Sequence, residues 1–370
     1  MFPARIEKVQ EELRNRGWAA VAIMPGANLR YLTGLSFYAS KRLTFAVVPV
    51  EGEIATLLPE MERARAENEQ RIPLRYYPYA HDETPDRALR SLVEDYSLER
   101  APIAVEPYAF RMFEAWTFEK AIGSNRFEDA DRILTPLRAR KDSDEIAAMR
   151  TAVKMIEYSL SETIRFIRPG QTEREIAAFW LQSLLDQGSE GPSFPLTVGS
   201  GPNGSFPHHE NSDRRIANGD LIVLDGGALF QGYASDITRT VAVGEPTSEM
   251  REVYSLVQRA NAAGRARATV GATGHEIDTA ARTVIDSGGY GPQFLHRTGH
   301  GLGLEIHEPP FIAVNETMPL SVGATFTIEP GIYIKGRFGV RIEDMVTLTG
   351  DGAETLTTLD RELLVIKTDQ

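Results

Sequence analysis

The chain has 370 residues, 42% hydrophobic and 25% charged, with a net charge of −12 and no cysteine. That length accommodates two domains with cores of their own, and the composition is that of an ordinary water-soluble globular protein. It excludes a disulfide framework and thiolate catalysis, and the acidic balance excludes a general nucleic-acid binder, whose phosphate contacts need clustered Lys and Arg.

The opening segment, MFPARIEKVQEELRNRG, reads as an amphipathic helix with Ile6, Val9 and Leu13 on one stripe. It lacks the apolar core of a signal peptide, and no later run approaches the roughly 18 residues of a membrane span. The expectation is a cytoplasmic protein with no membrane partner. Strand-like runs follow at 19–24, 43–50, 53–58 and 101–106, and helical patterns at 5–16, 84–97 and 109–122. This alternation predicts an α/β domain over residues 1–135. The polar stretch LRARKDSDE (137–145) then leads into a helix whose apolar stripe is Ile146, Met149, Val153, Ile156, Leu160, Ile164 and Ile167, stopped by Pro169-Gly170.

Residues 136–370 carry an internal duplication. GQTEREI (170–176) matches GATGHEI (271–277), and each holds a Thr-x-x-Glu capping box, Thr172 with Glu175 and Thr273 with Glu276. GDLIVLDGGALFQG (219–232) matches GATFTIEPGIYIKG (323–336), which sets Asp225 on Glu329, Gly227 on Gly331 and Gly232 on Gly336. The shared order and near-constant displacement predict two related halves about a pseudo-twofold axis.

Four carboxylates stand in or at the ends of strand-like runs: Asp225 in LIVLD, Asp236 in YASDITRTVAV, Glu329 in FTIE and Glu343 in GVRIEDMV. Grouped together they would repel one another unless cations compensated them, and a pair of divalent ions does this, because hard carboxylates can bridge two metals. His300 is the candidate imidazole ligand, flanked by Gly299, Gly301 and Gly303, which bring irregular backbone close to a site. His81 and His275 read as exposed or capping residues. His296 lies four residues before His300, but a His-x-x-x-His zinc pair needs a helix, which this glycine-rich stretch is not. No P-loop, dinucleotide fingerprint or G-x-S-x-G elbow is present. Metal-assisted hydrolysis is the chemistry this constellation suits.

The order Asp225, Asp236, His300, Glu329, Glu343 resembles the five-ligand centre of the pita-bread, M24-type metallopeptidases. The strings LDGGALFQGYASDITRT, HRTGHGLGLEIHEPP, TIEPGIY, GVRIEDMV and SGPNGSFPHHENSDR resemble the proline-specific branch, which includes Xaa-Pro dipeptidase (prolidase) and aminopeptidase P. NLRYLTG (28–34) is similar to that branch's creatinase-like N-terminal domain. The resemblance implies an α+β protein: a creatinase-like α/β domain over 1–135 and a pita-bread catalytic domain with pseudo-twofold duplication over 136–370. It further implies two divalent metal ions, Mn foremost with Co, Zn or Fe as alternatives, and a short proline-containing peptide as substrate. The family usually forms homodimers. Asp225 would chelate one ion and His300 with Glu329 the other, while Asp236 and Glu343 bridge the pair. A metal-bridging hydroxide would attack the carbonyl before proline, with Glu329 as proton shuttle and His307 steadying the intermediate or the substrate. His208 would contact substrate, although the family's Pro-His-Gly is Pro-His-His here, which leaves the choice between His208 and His209 open. Arg341 would support a bridging carboxylate or bind substrate, or else form a structural ion pair. The same fold also hosts creatinase-like non-peptidases and non-catalytic scaffolds. All five ligands are present here, which counts against metal-free chemistry but not against a metal-dependent non-peptidase hydrolase or lyase on this fold.

Overall fold

The computed structural model describes residues 2–123 and 127–367. The polypeptide divides into two units, Met1–Arg138 and Ala139–Gln370.

The first unit contains helices α1 (Phe2–Arg16), α2 (Ala27–Thr33), α3 (Arg63–Glu69), α4 (Asp86–Tyr96), α5 (Met112–Ile122) and α6 (Asp131–Arg138). Its strands are β1 (Ala20–Ile23), β2 (Phe45–Pro49), β3 (Ile54–Pro59), β4 (Leu74–Tyr79), β5 (Ile103–Val105) and β6 (Phe127–Asp129), joined in one mixed sheet in the order β4-β3-β2-β1-β5-β6. The four strands read from sequence form the buried centre of this sheet. Strand β4 is an edge strand with mixed exposure and an internal proline, Pro78, which an edge tolerates because one side of its ladder is unpaired. On α1, Val9 and Leu13 are buried as expected, but the third buried residue is Arg5 and Ile6 is only half-buried. The Arg5 guanidinium donates to the Tyr31 carbonyl at 3.0 Å and lies 3.9 Å from the centre of the Tyr31 ring.

The second unit is built as two similar halves. In the first, Asp142 caps α7 (Ser143–Phe166) and Thr172 caps α8 (Glu173–Asp186). In the second, Thr247 caps α9 (Ser248–Arg267) and Thr273 caps α10 (Gly274–Ser287). Both expected capping boxes form: Thr172 N–H donates to Glu175 at 2.7 Å, and Thr273 N–H donates to Glu276 at 2.8 Å. Each capping threonine also makes an isolated antiparallel bridge to the chain ahead of the next strands, Thr172 with Arg215 and Thr273 with Pro319.

The strands that follow are β7 (Thr197–Ser200), β8 (Leu221–Gly226), the short pair β9 (Leu229–Phe230) and β10 (Tyr233–Ala234), and β11 (Ile237–Val243). The second half supplies β12 (Gly299–Gly301), β13 (Glu308–Ile312), β14 (Thr325–Ile328), β15 (Gly331–Ile334), β16 (Phe338–Arg341), β17 (Asp344–Thr349) and β18 (Gly352–Thr355), and β19 (Val365–Ile366) ends the unit. One sheet runs β19-β11-β8-β7 and the other β13-β12-β14-β17-β18. Strands β8 and β11 pair antiparallel, as do β14 and β17, so each half presents the same two-strand device. Ile156, Leu160, Trp180 and Leu184 of α7 and α8 pack on Val198, Leu224 and Val241, and the buried Trp180 indole donates to Ser159 at 3.1 Å. Ile277 of α10 packs on Phe326, Ile328 and Val346. Among the described residues no helix is long and apolar enough to cross a membrane.

One buried acid of the first unit makes its stability depend on pH. Glu106 accepts from the Met24 N–H and from Asn28 Nδ2, and burial, opposed by those two bonds, raises its pKa to about 7. A carboxyl raised on folding contributes its full stability below its unfolded value and loses it as pH rises through the folded value. The N-terminal unit should therefore lose on the order of 3 kcal/mol between about pH 4.5 and pH 7 from this group. Urea unfolding followed by circular dichroism across that window should show the slope, flattened in Glu106→Gln; an equal slope in both proteins would refute it.

Candidate metal centre

The two strand pairs deliver their acids to one place. Asp225 lies in β8 opposite Thr238 of β11, and Asp236 stands one residue ahead of β11. Glu329 follows β14 directly, and Glu343 precedes β17 directly. The Glu343 N–H donates to the Thr238 carbonyl at 3.1 Å, so the backbone that carries the second pair is hydrogen-bonded to the first. Two glycines permit the approach. A Cβ at Gly227 would lie 1.8 Å from the Ser235 carbonyl, and one at Gly299 would lie 1.9 Å from that of Thr327. No side chain fits either position.

Asp236, His300 and Glu343 are buried, with one ligand atom of each within 4.8 Å of the others. His300 Nδ1 faces the Gly301 carbonyl at 3.1 Å, an oxygen that can only accept, so Nδ1 carries the proton. Its Nε2 lone pair then points at Glu329 Oε1, 3.3 Å away, and at Asp236 Oδ2, 3.7 Å away. Lone pairs facing carboxylate oxygens repel unless a cation lies between them. Among the described residues Asp236 Oδ1 and Glu343 Oε1 likewise find no hydrogen-bond partner, and both are buried. Burial, then the neighbouring carboxylates, raises the pKa of Asp236 and Glu343 well above the usual range. Burial raises Glu329 to about 7, with Arg341 opposing, and burial, then His307, lowers His300 to about 3. The donor set, hard oxygens and one neutral imidazole with orphaned buried atoms, fits divalent metal ions.

Asp225 is joined to this group through Arg341 and Thr238. Arg341 Nη2 meets Asp225 Oδ2 at 2.5 Å, and Arg341 Nε donates to Thr238 Oγ1 at 3.0 Å. The Thr238 hydroxyl lies 3.0 Å from Asp225 Oδ1 and 2.7 Å from Glu343 Oε2, so it donates to one acid or the other. Arg341 Nη1 donates to the Tyr333 hydroxyl at 2.8 Å, and that hydroxyl lies 2.8 Å from His296 Nε2. The His296 Nδ1–H donates to the Arg297 carbonyl at 2.7 Å, which leaves Nε2 to accept from Tyr333. Burial, then the Arg341 charge, lowers the His296 pKa to about 4, so this ring is neutral. Burial opposes the charge of Arg341, but Tyr333, Asp225, Glu329 and Glu343 outweigh it and hold the guanidinium protonated.

The histidine pair after Pro207 separates by its partners. His209 Nε2 meets Glu173 Oε2 at 2.7 Å, inside a network in which Glu173 also accepts from Ser200, Asn203 and Ser212. His208 is exposed, and its charge is felt by His296 and His307. His307 is exposed and stands edge-on to His300, ring centres 4.3 Å apart. His81 lies beside Arg42, and His275 beside the Asn315 N–H. Thr238, Tyr333 and His296 were not legible as site residues. Only Thr238 carried a signal, standing two residues after Asp236 in a strand and so on its face.

Residues 147–350 match the family described as Metallopeptidase family M24, and residues 5–140 match the Creatinase/Prolidase N-terminal domain. The chain is similar to a protein named Xaa-Pro dipeptidase from Pyrococcus furiosus, 36% identical over 361 residues, 97% of this chain and 99% of that protein. Among solved structures it is similar to a recombinant prolidase from Thermococcus sibiricus, 33% identical with a TM-score of 0.94, covering 99% of each chain. It is also similar to an X-Pro aminopeptidase from Thermotoga maritima, 33% identical with a TM-score of 0.88, covering 98% of this chain and 99% of that one.

Thr238→Val keeps the shape and removes the hydroxyl that joins Arg341, Asp225 and Glu343. It should weaken Mn²⁺ binding by about 10- to 100-fold, as loss of an orienting partner does, and lower stability by about 1–3 kcal/mol for the guanidinium N–H left unpaired. Calorimetric titration of chelator-treated protein and denaturant unfolding measure the two effects. Unchanged metal affinity would remove Thr238 from this account.

Proposed function

This chain belongs to metallopeptidase family M24 and is a peptidase; from that premise we propose that it hydrolyses the Xaa-Pro peptide bond of short peptides with two divalent metal ions. The observation that carries the reading is the His300 lone pair aimed at Glu329 and Asp236, beside the orphaned oxygens of Asp236 and Glu343. Asp225, Asp236, His300, Glu329 and Glu343 would hold the ions. With all four carboxylates ionised, as ligands are, they and the contacting Arg341 sum to minus three, so one dication would leave the cluster negative and two would not. Mn²⁺ suits this oxygen-rich set, and Co, Zn or Fe could occupy it as well. When bound, such ions supply an ionised water and polarise the scissile carbonyl.

The protein's own groups divide the remaining work. Glu329 takes the proton released in the attack and delivers it to the departing proline nitrogen. His307 donates to the oxygen that gains charge, from the open side of the cluster. His208 contacts the substrate, because His209 is engaged by Glu173. Arg341 is a positioning residue: it holds Asp225 and Thr238 and is 4% exposed. Residues 136–370 carry every one of these groups. An Xaa-Pro bond is a tertiary amide with a fixed ring and no N–H, so a pocket that offers no acceptor there selects it. The names of the relatives support the proline preference. The absence of cysteine supports a reducing cytoplasm. The exposed side chains of Met112 and Trp116, four residues apart on α5, support a homodimer.

The test is hydrolysis of Ala-Pro, Ala-Pro-Ala and Ala-Ala by protein stripped with chelator and restored with Mn²⁺. Cleavage of a proline peptide should require the metal and Ala-Ala should stay intact, and Glu329→Gln should lower kcat by about 10²- to 10⁴-fold. Ala-Ala cleaved as fast as Ala-Pro, or activity untouched by chelator, would overturn the reading.

A further inference from the structure

Glu173, fully buried at the first position of α8, is held by the segment 200–212. Its Oε1 accepts from the Ser200 N–H at 2.9 Å, the Ser200 hydroxyl at 2.6 Å and Asn203 Nδ2 at 3.0 Å. Its Oε2 accepts from the Ser212 N–H at 3.0 Å, the Ser212 hydroxyl at 2.6 Å and His209 Nε2 at 2.7 Å. Burial works against its charge, but the bonds from Ser200, Ser212 and His209 outweigh it and lower its pKa to about 2. An ionised carboxylate only accepts, so His209 Nε2 carries a proton. The start of the helix does not need this acid. Thr172 and Glu175 already form the capping box, and the duplicated half has Gly274 where Glu173 stands.

The carboxylate is satisfied without His209. Ser200, Asn203 and Ser212 fill the roughly four lone-pair sites that a carboxylate offers, so the His209 bond adds little to its solvation. What that bond does fix is the loop. Just before His208, Arg341 Nη1 donates to the Pro207 carbonyl at 3.3 Å. His208 is therefore the single residue between two tethers, one to the arginine that holds Asp225 and one to a fully buried anion. Its own side chain is exposed, and its charge reaches His296 and His307. The glycine of the Pro-His-Gly pattern has no side chain with which to make the second tether, and His209 has one.

We propose that His209 is a positioning residue for peptide hydrolysis: its bond to Glu173, set against the Arg341 bond to Pro207, fixes where the His208 imidazole meets the substrate. The inference rests on the reading that His208 contacts the substrate, and it assigns what holds that ring in place. With the residues on both sides tethered, the His208 ring keeps only its own side-chain rotations, so less freedom is lost when substrate arrives. A charge-assisted bond to a buried carboxylate suits the task, because low dielectric strengthens it and water competes poorly for it.

The test reads kcat and KM of the Mn²⁺-loaded enzyme on whichever of Ala-Pro, Ala-Pro-Ala and Ala-Ala the wild type cleaves. The variants are His208→Ala, His209→Ala, His209→Gln and the double variant with alanine at both positions. His209→Ala should lose about 10- to 100-fold in kcat/KM, the cost of a misplaced group. The loss should fall on the same parameter, kcat or KM, that His208→Ala changes, with Mn²⁺ affinity unchanged. His209→Gln, whose amide N–H can take the place of Nε2–H, should recover most of it. The double variant should sit within about twofold of His208→Ala, because one residue acts through the other. Losses that multiply, a fall in Mn²⁺ affinity, or wild-type activity in His209→Ala would overturn the proposal and leave the His208 contact standing. Wild-type activity in His208→Ala would strike the contact itself, and the proposal with it. If no peptide is cleaved, the imidazole NMR signals of His208 decide. His209→Ala and His209→Gln both lack the neighbouring ring, so His208 signals that differ between them support the tether, and identical signals overturn it.

Discussion

Among the described residues four carboxylates share a largely buried volume with one contacting guanidinium, and the architecture of the second unit is organised around that repulsion. Carboxylates so placed either take up protons or hold cations. The polypeptide offers the first only partial relief. Arg341 neutralises Asp225, the Thr238 hydroxyl can serve one acid at a time, and one oxygen each of Asp236 and Glu343 is left with nothing. A site left unsatisfied by its own protein is one prepared for a ligand, and in a metallopeptidase of this family the ligand is a divalent ion.

Duplication makes such crowding affordable in structural terms. A single strand pair can set two acids near its end, as β8 and β11 do with Asp225 and Asp236. A second pair of the same design sets Glu329 and Glu343 opposite them, and the Glu343 N–H to Thr238 carbonyl bond ties the two together. The helices behind each pair, with their twin capping boxes and twin bridges, hold the strands in register. Glycines at 227 and 299 then remove the side chains that the close backbone approach cannot accept.

Around the acids stands a shell that keeps each group in one orientation. Tyr333 links Arg341 to a neutral His296, and Gly301 turns the His300 lone pair towards the carboxylates. Such a shell sets ligand geometry as much as the ligands do, because a misdirected oxygen or imidazole contributes little. On the open side, His208 and His307 remain exposed, and the Arg297 guanidinium lies over the Phe311 ring.

What the sequence determined by itself was whatever depends on neighbours along the chain. Apolar periodicity marked α7, Thr-x-x-Glu marked the starts of α8 and α10, and short apolar runs marked β1, β2, β3 and β5, because these follow from local backbone and side-chain preferences. The order of acids and glycines made the family resemblance visible for the same reason. Strand β4 escaped because an edge strand of mixed exposure with an internal proline has no continuous apolar run to show. Ile6 yielded its place on α1 to Arg5 because the guanidinium found a carbonyl and a ring on α2. Only the tertiary structure decided which partner each polar side chain has. Arg341 and Asp225 are 116 residues apart in sequence, His209 and Glu173 36 apart, and His296 and Tyr333 37 apart. Pairings at such separations are made by packing of elements distant along the chain, across the two halves for Arg341 and Asp225 and within one half for the other two. No local pattern encodes them, and the pairing of His209 with Glu173 separates it from His208.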